Sequence, residues 1–193
     1  MKIRLGPYVD DGEREVSIEI EDFDTWSMNH TLALIILPML KQLKETKHGS
    51  PHTEDVDAPE HLRSTAAPVD DKNGPGDYEG GVSETNIHAR WNWIMDEMIW
   101  AFDKIVNDDY TEQFTSGVSH MLWKPLDKNG NALGDPVELE DEIFNNDDRV
   151  KSWEWVKAPD DTYTIDSEGL RKFENRISNG TRLFGVYFRG LWD

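Results

Sequence analysis

Residues 86–106 read NIHARWNWIMDEMIWAFDKIV and decide the fold. At 100° per residue, most of their large apolar side chains fall on one broad side of a helix. These side chains are Trp91, Ile94, Met95, Met98, Ile99, Phe102, Ile105 and Val106. The stretch therefore predicts an amphipathic helix whose apolar side faces a core.

Two further stretches have helical apolar spacing. Residues 27–47 carry the i, i+4, i+7, i+8 pattern and predict a helix that lies deep in the core. Pro38 lies inside this pattern, where it removes one backbone hydrogen bond, so we expect a kink or two shorter helices near residues 34–37. Residues 167–192 predict the third helix, and glycines such as Gly180 are expected where another element packs closely.

Shorter stretches alternate apolar and polar residues, as half-buried strands do. Residues 2–21 predict a β-hairpin with its turn at Asp10-Asp11-Gly12. Residues 118–165 predict two more hairpins, with turns at 127–130 and at 158–161. The predicted fold class is therefore α+β, with a three-helix core packed against small antiparallel β-hairpins.

Residues 48–84 contain four prolines, five glycines and only short apolar patches. A loop of this length inside a compact domain is either a solvated insert or a functional element such as a lid. We predict one domain, residues 1–193, with a mobile or irregular insert at 48–84 on its surface.

The composition argues against several classes of protein. The chain has 39 acidic and 20 basic residues, a formal net charge of −19, so direct binding of nucleic acid is not expected. The longest apolar run, Leu32–Leu40, is about half the ~20 residues of a membrane span, and residues 1–20 lack the apolar segment of a leader peptide. There is no cysteine, so thiolate chemistry and disulfides are excluded. Phosphate-binding and dinucleotide-binding motifs are absent from the sequence, and no cofactor is predicted.

A polar stripe on the helix over 86–106 holds the candidate catalytic residues. His88, Asp96 and the adjacent Glu97 offer acid–base groups, and His30 of the preceding helix is a fourth candidate. An enzyme or a small-ligand protein could use these groups with the long loop as a lid. The alternative is that the stripe is a solvated helix face.

Trp93, Trp100 and Glu97 are the candidate binding residues. The two tryptophans are seven residues apart, so they lie on one line of the helix surface beside the polar stripe. If they are exposed, they form an aromatic anchor surrounded by acids, which is the composition of a binding hot spot. If another element covers them, they belong to the core.

One stretch has the ligand spacing of a calcium-binding loop. The residues in question are Asp127, Asn129, Asn131, Asp135 and Glu138, at positions 1, 3, 5, 9 and 12. Position 6 is Ala132, where the calcium loop needs glycine, and Pro125 and Pro136 disfavour flanking helices. A β-hairpin explains the same residues, so no metal is predicted there. His48, His52 and His61 match no zinc pattern either.

Four strings resemble a family of tailed-bacteriophage proteins that have no assigned activity. They are DTWSMNHTLALIILPMLKQLKETKHGSP at 24–51, EHLRSTAAP at 60–68, RWNWIMDEMIWAF at 90–102 and RISNGTRLFG at 176–185. Together they cover 60 of the 193 residues, about a third of the chain. The resemblance implies a viral protein made in a bacterial cytoplasm, and it supplies no catalytic residue.

Three hypotheses about function follow. The first is a non-enzymatic accessory protein that binds a host or viral protein, because residues 1–166 carry a charge of −21 and present an acidic body. The second is the enzyme or small-ligand protein described above, and the third is a structural component of the virion. The absence of catalytic motifs favours the first.

Overall fold

In a computed structural model of the chain, the described residues form an α+β fold of three long helices and three two-stranded antiparallel sheets, as predicted. The structure describes residues 1–8, 12–66, 86–107, 110–138 and 147–192. Its elements, in chain order, are β1 (Lys2–Tyr8), β2 (Arg14–Glu19), α1 (Asp22–Trp26), α2 (Met28–Thr46), α3 (Ile87–Asn107), β3 (Thr115–Ser116), β4 (Met121–Leu126), β5 (Ser152–Lys157), β6 (Thr164–Ile165) and α4 (Ser167–Val186).

The chain divides into two compact units. The first unit contains Met1–Asp109 and Lys172–Asp193, and the second contains Tyr110–Arg171. The hydrophobic core of the first unit is formed by α2, α3 and α4, as the apolar spacing predicts. Its buried members are Ala33, Leu37, Leu40, Trp91, Ile94, Met95, Met98, Phe102, Leu183 and Tyr187.

The helices α3 and α4 approach each other closely at Gly180. A Cβ atom at this position would lie 2.4 Å from the Cβ of Ala101 and 2.5 Å from the carbonyl oxygen of Glu97. Real Cβ atoms do not come this close to other heavy atoms, so the contact requires glycine. The expectation that a helix glycine marks close packing is confirmed here.

Two helix boundaries differ from the prediction. The helix α2 continues through Pro38 as one element, so the expectation of two shorter helices was wrong. The missing hydrogen bond falls on Leu34, which is exposed, so water can satisfy its carbonyl group. The helix α4 ends at Val186 rather than 192, and a single 3₁₀ turn, Phe188–Gly190, follows it.

The hairpin of β1 and β2 is confirmed, but it is less buried than predicted. Ile3 pairs with Ile18 and Leu5 pairs with Val16, so one face is apolar, yet these four side chains are 40–56% exposed. Gly12 has φ +76°, as the predicted turn requires, while Asp10 and Asp11 lie outside the described residues.

The described part of the predicted insert, residues 48–66, folds into three short 3₁₀ turns held against the helices of the first unit. Arg90 of α3 is 1% exposed, and its Nε donates to the hydroxyl of Thr53 at 2.7 Å and its Nη1 to the carbonyl of Leu62 at 3.1 Å. The same guanidinium lies 3.2 Å from Asp55. This segment is irregular, as predicted, but Thr53, Asp57 and Ala58 are buried rather than solvated.

A second set of polar contacts joins this segment to α4. The Tyr187 hydroxyl donates to Asp57 at 2.6 Å and accepts from the backbone N–H of Glu54 at 3.0 Å. Arg182 donates to the other oxygen of Asp57 at 2.6 Å. Burial, and then the hydrogen bond to Asp57, raise the pKa of Tyr187 to about 12. The tyrosine therefore stays a neutral donor at physiological pH.

The second unit pairs its strands differently from the prediction. The strand β5 pairs with β4, from Met121 opposite Lys157 to Leu126 opposite Ser152, instead of forming a hairpin with the residues after it. The strand β6 pairs with β3. The turn at 127–130 is confirmed, because Leu126 is bridged to Ala132 and Gly130 has φ +83°.

Gly180→Ala and Gly185→Ala should change stability in opposite directions. The first places a methyl group against Ala101 and the backbone of Glu97, and we expect it to lower the free energy of unfolding by about 1–3 kcal/mol. The second meets no atom within 4 Å, and we expect a gain of up to about 1 kcal/mol from helix propensity. Urea unfolding measures both values. Equal effects of the two substitutions would contradict the close contact.

Candidate functional site

An open apolar groove lies on the surface of the first unit. Its volume is about 920 Å³. We call it the apolar groove, and its described lining residues are Tyr8, Ile36, Met39, Leu40, Gln42, Leu43, Phe184, Phe188, Leu191 and Trp192. One wall comes from α2, and the other comes from the end of α4 and the residues that follow it.

Helical spacing places the α2 wall. Ile36, Met39, Leu40 and Leu43 follow the i, i+3, i+4, i+7 pattern, so they form one stripe of the helix. Leu40 is 2% exposed and belongs to the core, whereas Met39 is 64% exposed. The apolar stripe of α2 is thus wider than the surface that its neighbours cover, and the surplus forms the wall of the groove.

The end of the chain supplies the aromatic wall. After α4, the backbone N–H of Gly190 donates to the carbonyl of Tyr187 at 2.8 Å and closes the 3₁₀ turn. The anchored Tyr187 holds this turn on the core, while Phe188 and Trp192 are 62% and 61% exposed. The ring of Phe188 packs edge-on against Phe184 at a centroid distance of 5.6 Å. The exposed ring of Phe188 is therefore held on a fixed backbone.

The groove has the chemistry of a protein-binding surface. Its described lining contains no Asp, Glu, Lys or Arg, and its two polar members, Tyr8 and Gln42, are exposed. Aromatic residues and methionine are the side chains enriched at protein interfaces, and charged residues are depleted from interface cores. The groove can thus bury apolar surface of a partner without the cost of desolvating a charge.

The structure does not bring the predicted catalytic residues together. His88 lies near the start of α3, where its Nδ1 is 2.9 Å from the hydroxyl of Ser50. His30 donates from Nε2 to the carbonyl of Val106 at 3.3 Å, at the other end of α3. The two histidines are therefore separated by most of the helix, roughly 27 Å at 1.5 Å per residue.

Asp96 and Glu97 diverge from each other. Asp96 is exposed and forms an ion pair with Lys44 of α2. Glu97 is 8% exposed and accepts two hydrogen bonds from Arg176 of α4, at 2.9 and 2.7 Å. Each carboxylate therefore joins α3 to a different neighbouring helix, which is a structural use rather than acid–base chemistry.

The two predicted anchor tryptophans are half-buried. Trp93 packs against the hydrophobic core. Trp100 packs edge-on against Phe173 at 5.0 Å, and the guanidinium of Arg176 lies 3.9 Å from its ring centroid. Of the two alternatives for Trp93 and Trp100, the geometry favours the covered one.

The first residues of the stretch with the spacing of a calcium-binding loop form a hydrogen-bonded β-turn instead. The Asp127 carboxylate accepts hydrogen bonds from the backbone N–H groups of Asn129 and Asn131, at 2.7 and 2.9 Å. Hydrogen bonds from the Asn131 backbone and side chain lower the pKa of Asp127. Asp135 is exposed, and Glu138 contacts His120 instead. Within the described ranges, no group of three or more His, Asp or Glu side chains could hold a metal ion.

Comparison of the chain with protein-family models, with curated proteins and with solved structures found no match. Of the helices that the structure describes, none has the length and apolar character to cross a membrane.

The residues of the groove were not singled out by the sequence. The apolar spacing of residues 167–192 places Phe184, Phe188 and Leu191 on the side of a helix that faces the core. In the same way, the apolar spacing of residues 27–47 places Met39 on the core-facing side of its own helix. The periodicity of apolar residues shows that they lie on one face of a helix. It does not show whether the neighbouring element is long enough to cover that face. The signal that could have found the groove is the surplus of large apolar residues at the end of the chain, including Trp192.

In the second unit, His120 bridges two carboxylates. Its Nδ1 is 2.5 Å from Asp160, and its Nε2 is 2.5 Å from Glu138. Both ring nitrogens donate only in the imidazolium form. The hydrogen bond to Glu138, and then the one to Asp160, raise the pKa of His120 above its usual 6.5. The bridge therefore holds the loop before Glu138 to the turn at Asp160 when the imidazole is charged.

We expect the stability that His120 contributes to decrease as the pH rises. The pKa of His120 is higher in the folded chain than in the unfolded chain, so its contribution is complete below about pH 6.5 and disappears as the pH passes the raised value. Urea unfolding of wild type and His120→Gln at several pH values measures the difference. His52→Gln is the control, because the imidazole of His52 is 82% exposed and lies 3.5 Å from one exposed carboxylate, that of Glu54, instead of bridging two. An NMR titration that places the pKa of His120 at or below 6.5 would contradict the bridge.

Proposed function

We propose that the chain is a non-enzymatic bacteriophage accessory protein that binds a host or viral protein in the bacterial cytoplasm, and that the apolar groove is the binding surface. The observation that carries this proposal is the exposure of four large side chains on one groove. Tyr8, Met39, Phe188 and Trp192 are 70%, 64%, 62% and 61% exposed. The viral origin and the cytoplasmic location rest on the sequence resemblance alone.

The size of these side chains makes the groove a plausible source of affinity. Each aromatic residue can bury roughly 150–250 Å², and binding energy concentrates in a few such residues at the centre of an interface. Met39 adds a flexible apolar side chain that adapts to the shape of a partner. Because Tyr187 is already tied to Asp57, the aromatic wall needs no large rearrangement before binding.

The acidity of the chain supports the same function in a different way. The net charge of −19 keeps a protein with exposed apolar surface in solution, and it raises the association rate with a basic partner. The groove supplies the contact area, and the negative charge of the chain attracts a basic partner over a distance. Because salt screens this attraction, added salt should slow association more than it speeds dissociation.

A protein partner fits the groove better than a small molecule. Small-molecule sites enclose their ligand and fix it with a few convergent polar groups. The polar groups here, Tyr8 and Gln42, are exposed at the surface. An enzyme is disfavoured because His88 and His30 are at opposite ends of α3 and Glu97 is occupied by Arg176.

Site-specific photo-crosslinking in bacterial cells tests the proposal. Phe188, in the groove, is replaced by p-benzoylphenylalanine, and Phe23 is replaced in the same way as the matched control, because it is 83% exposed but does not line the groove. We expect a discrete crosslinked product from position 188 and none of the same mass from position 23. Adding Trp192→Ala to the position 188 variant should reduce the product about ten-fold or more.

Two results would contradict the proposal. One is the same set of products from positions 188 and 23, which would show non-specific contact of exposed aromatic residues. The other is a product from position 188 that Trp192→Ala leaves unchanged, with circular dichroism showing that both variants are folded.

A further inference from the structure

The strand β2 has one free edge among the described residues. It pairs with β1 on one side only, and no described backbone group bonds to its other side. All six of its residues are exposed. Alternate residues of β2 therefore present backbone N–H and C=O groups that are available to another strand.

The side chains of β2 give this edge a specific chemistry. Arg14, Val16 and Ile18 lie on one face of the strand, and Glu15, Ser17 and Glu19 lie on the other, because side chains alternate along a strand. A strand added at this edge would meet aliphatic side chains on one face and carboxylates on the opposite face.

The strand β1 shows which partner sequence β2 accepts. In the register of the hairpin, Lys2 is opposite Glu19, and its Nζ lies 3.1 Å from the carboxylate. Ile3 is opposite Ile18 on the other face. A strand that alternates basic and aliphatic residues is thus already paired with β2 on its inner edge.

The outer edge of β1 is interrupted near its end. Pro7 has no N–H to donate, and the register shifts between Leu5 and Tyr8. Natural proteins use prolines and irregularities of this kind to block an edge. The strand β2 contains neither, so its outer edge is uninterrupted.

Charge disfavours the pairing of β2 with a second copy of this chain in the register centred on Ser17. Antiparallel pairing of β2 with a copy of itself, centred on Ser17, would set Glu15 opposite Glu19, which is destabilising. Pairing of β2 with β1 of a second copy is a head-to-tail contact, which adds chains in an open series instead of forming a closed dimer. The net charge of −19 on each chain opposes this assembly. The charge of the edge instead complements a basic strand.

We propose that the outer edge of β2 binds an extended segment of a partner protein in which Lys or Arg alternates with Val, Ile or Leu. The added strand forms main-chain hydrogen bonds to β2, pairs its basic side chains with Glu15 and Glu19, and continues the apolar face of Val16 and Ile18. This site shares no residue with the apolar groove, so either proposal can fail while the other holds.

Fluorescence anisotropy with a labelled peptide of sequence KVRVKVRV tests the proposal. We expect saturable binding to the full chain, weakened about ten-fold in Glu15→Lys/Glu19→Lys because attraction becomes repulsion. The matched control is Glu112→Lys/Glu174→Lys, which changes the net charge equally at two exposed sites outside the hairpin. The control should weaken binding much less.

A second peptide keeps the test independent of whether the variants fold. KVRPKVRP has the same charge, but its prolines remove backbone donors, so it should bind wild type about ten-fold more weakly or not at all. Hydrogen exchange should show slower exchange at alternate amides of β2 when the first peptide is bound.

Three outcomes would overturn the proposal. Equal binding of the two peptides would mean that charge alone attracts them, and equal effects of the two double variants would mean the same. Concentration-dependent assembly of the chain alone in light scattering, inhibited by the first peptide, would assign the edge to a second copy.

Discussion

The contact of α4 with α3 at Gly180 sets the position of everything that follows it in the chain. Without a side chain at this residue, the two helix backbones lie close enough for Glu97 to reach Arg176 and for Leu183 to be fully buried. The direction of α4 carries the chain toward α2, where its last residues form the second wall of the groove. A wider separation of the helices would move Phe188 and Trp192 away from Met39.

Hydrogen bonds of buried polar side chains hold the segment 48–66 against the helices of the first unit. Arg90 and Asp57 are both buried. Arg90 is satisfied by partners from the segment 48–66, and Asp57 is satisfied by Arg182 of α4 and by Tyr187, which follows α4. In the part of the chain that the structure describes, no buried side-chain nitrogen or oxygen lacks a hydrogen-bond partner. A satisfied polar network of this kind is rigid, and breaking one member leaves the others unpaired in the interior. The groove is consequently a preformed surface on a stable core.

Much of the fold could be predicted from the sequence, because helical and strand periods are local properties. The helices of the first unit and the hairpin of β1 and β2 follow from apolar spacing and from the turn glycine. The pairing of β4 with β5 could not be predicted, because strands 25 residues apart in the sequence pair through tertiary contacts rather than through a turn. The role of Glu97 was also hidden, since a carboxylate beside two tryptophans has the same local pattern whether it meets a substrate or Arg176.

The candidate site was harder to predict than the fold, for a physical reason. Hydrophobic periodicity identifies faces, while a binding groove is the part of a face that no neighbour covers. Phe188 and Trp192 have the same character as the buried Tyr187 and differ from it only in where the chain turns after α4. The acidic composition, which the sequence does show, would favour the approach of a basic partner, but it does not locate the groove.

Methionine methyl NMR can show whether a bound protein occupies the apolar groove. Met39 lines the groove, while Met28 is exposed outside it and Met121 lies in the second unit. When the protein that crosslinks to position 188 is added, the account predicts a shift of the Met39 methyl resonance, with those of Met28 and Met121 unchanged. A shift of Met28 or Met121 with Met39 unchanged would contradict it.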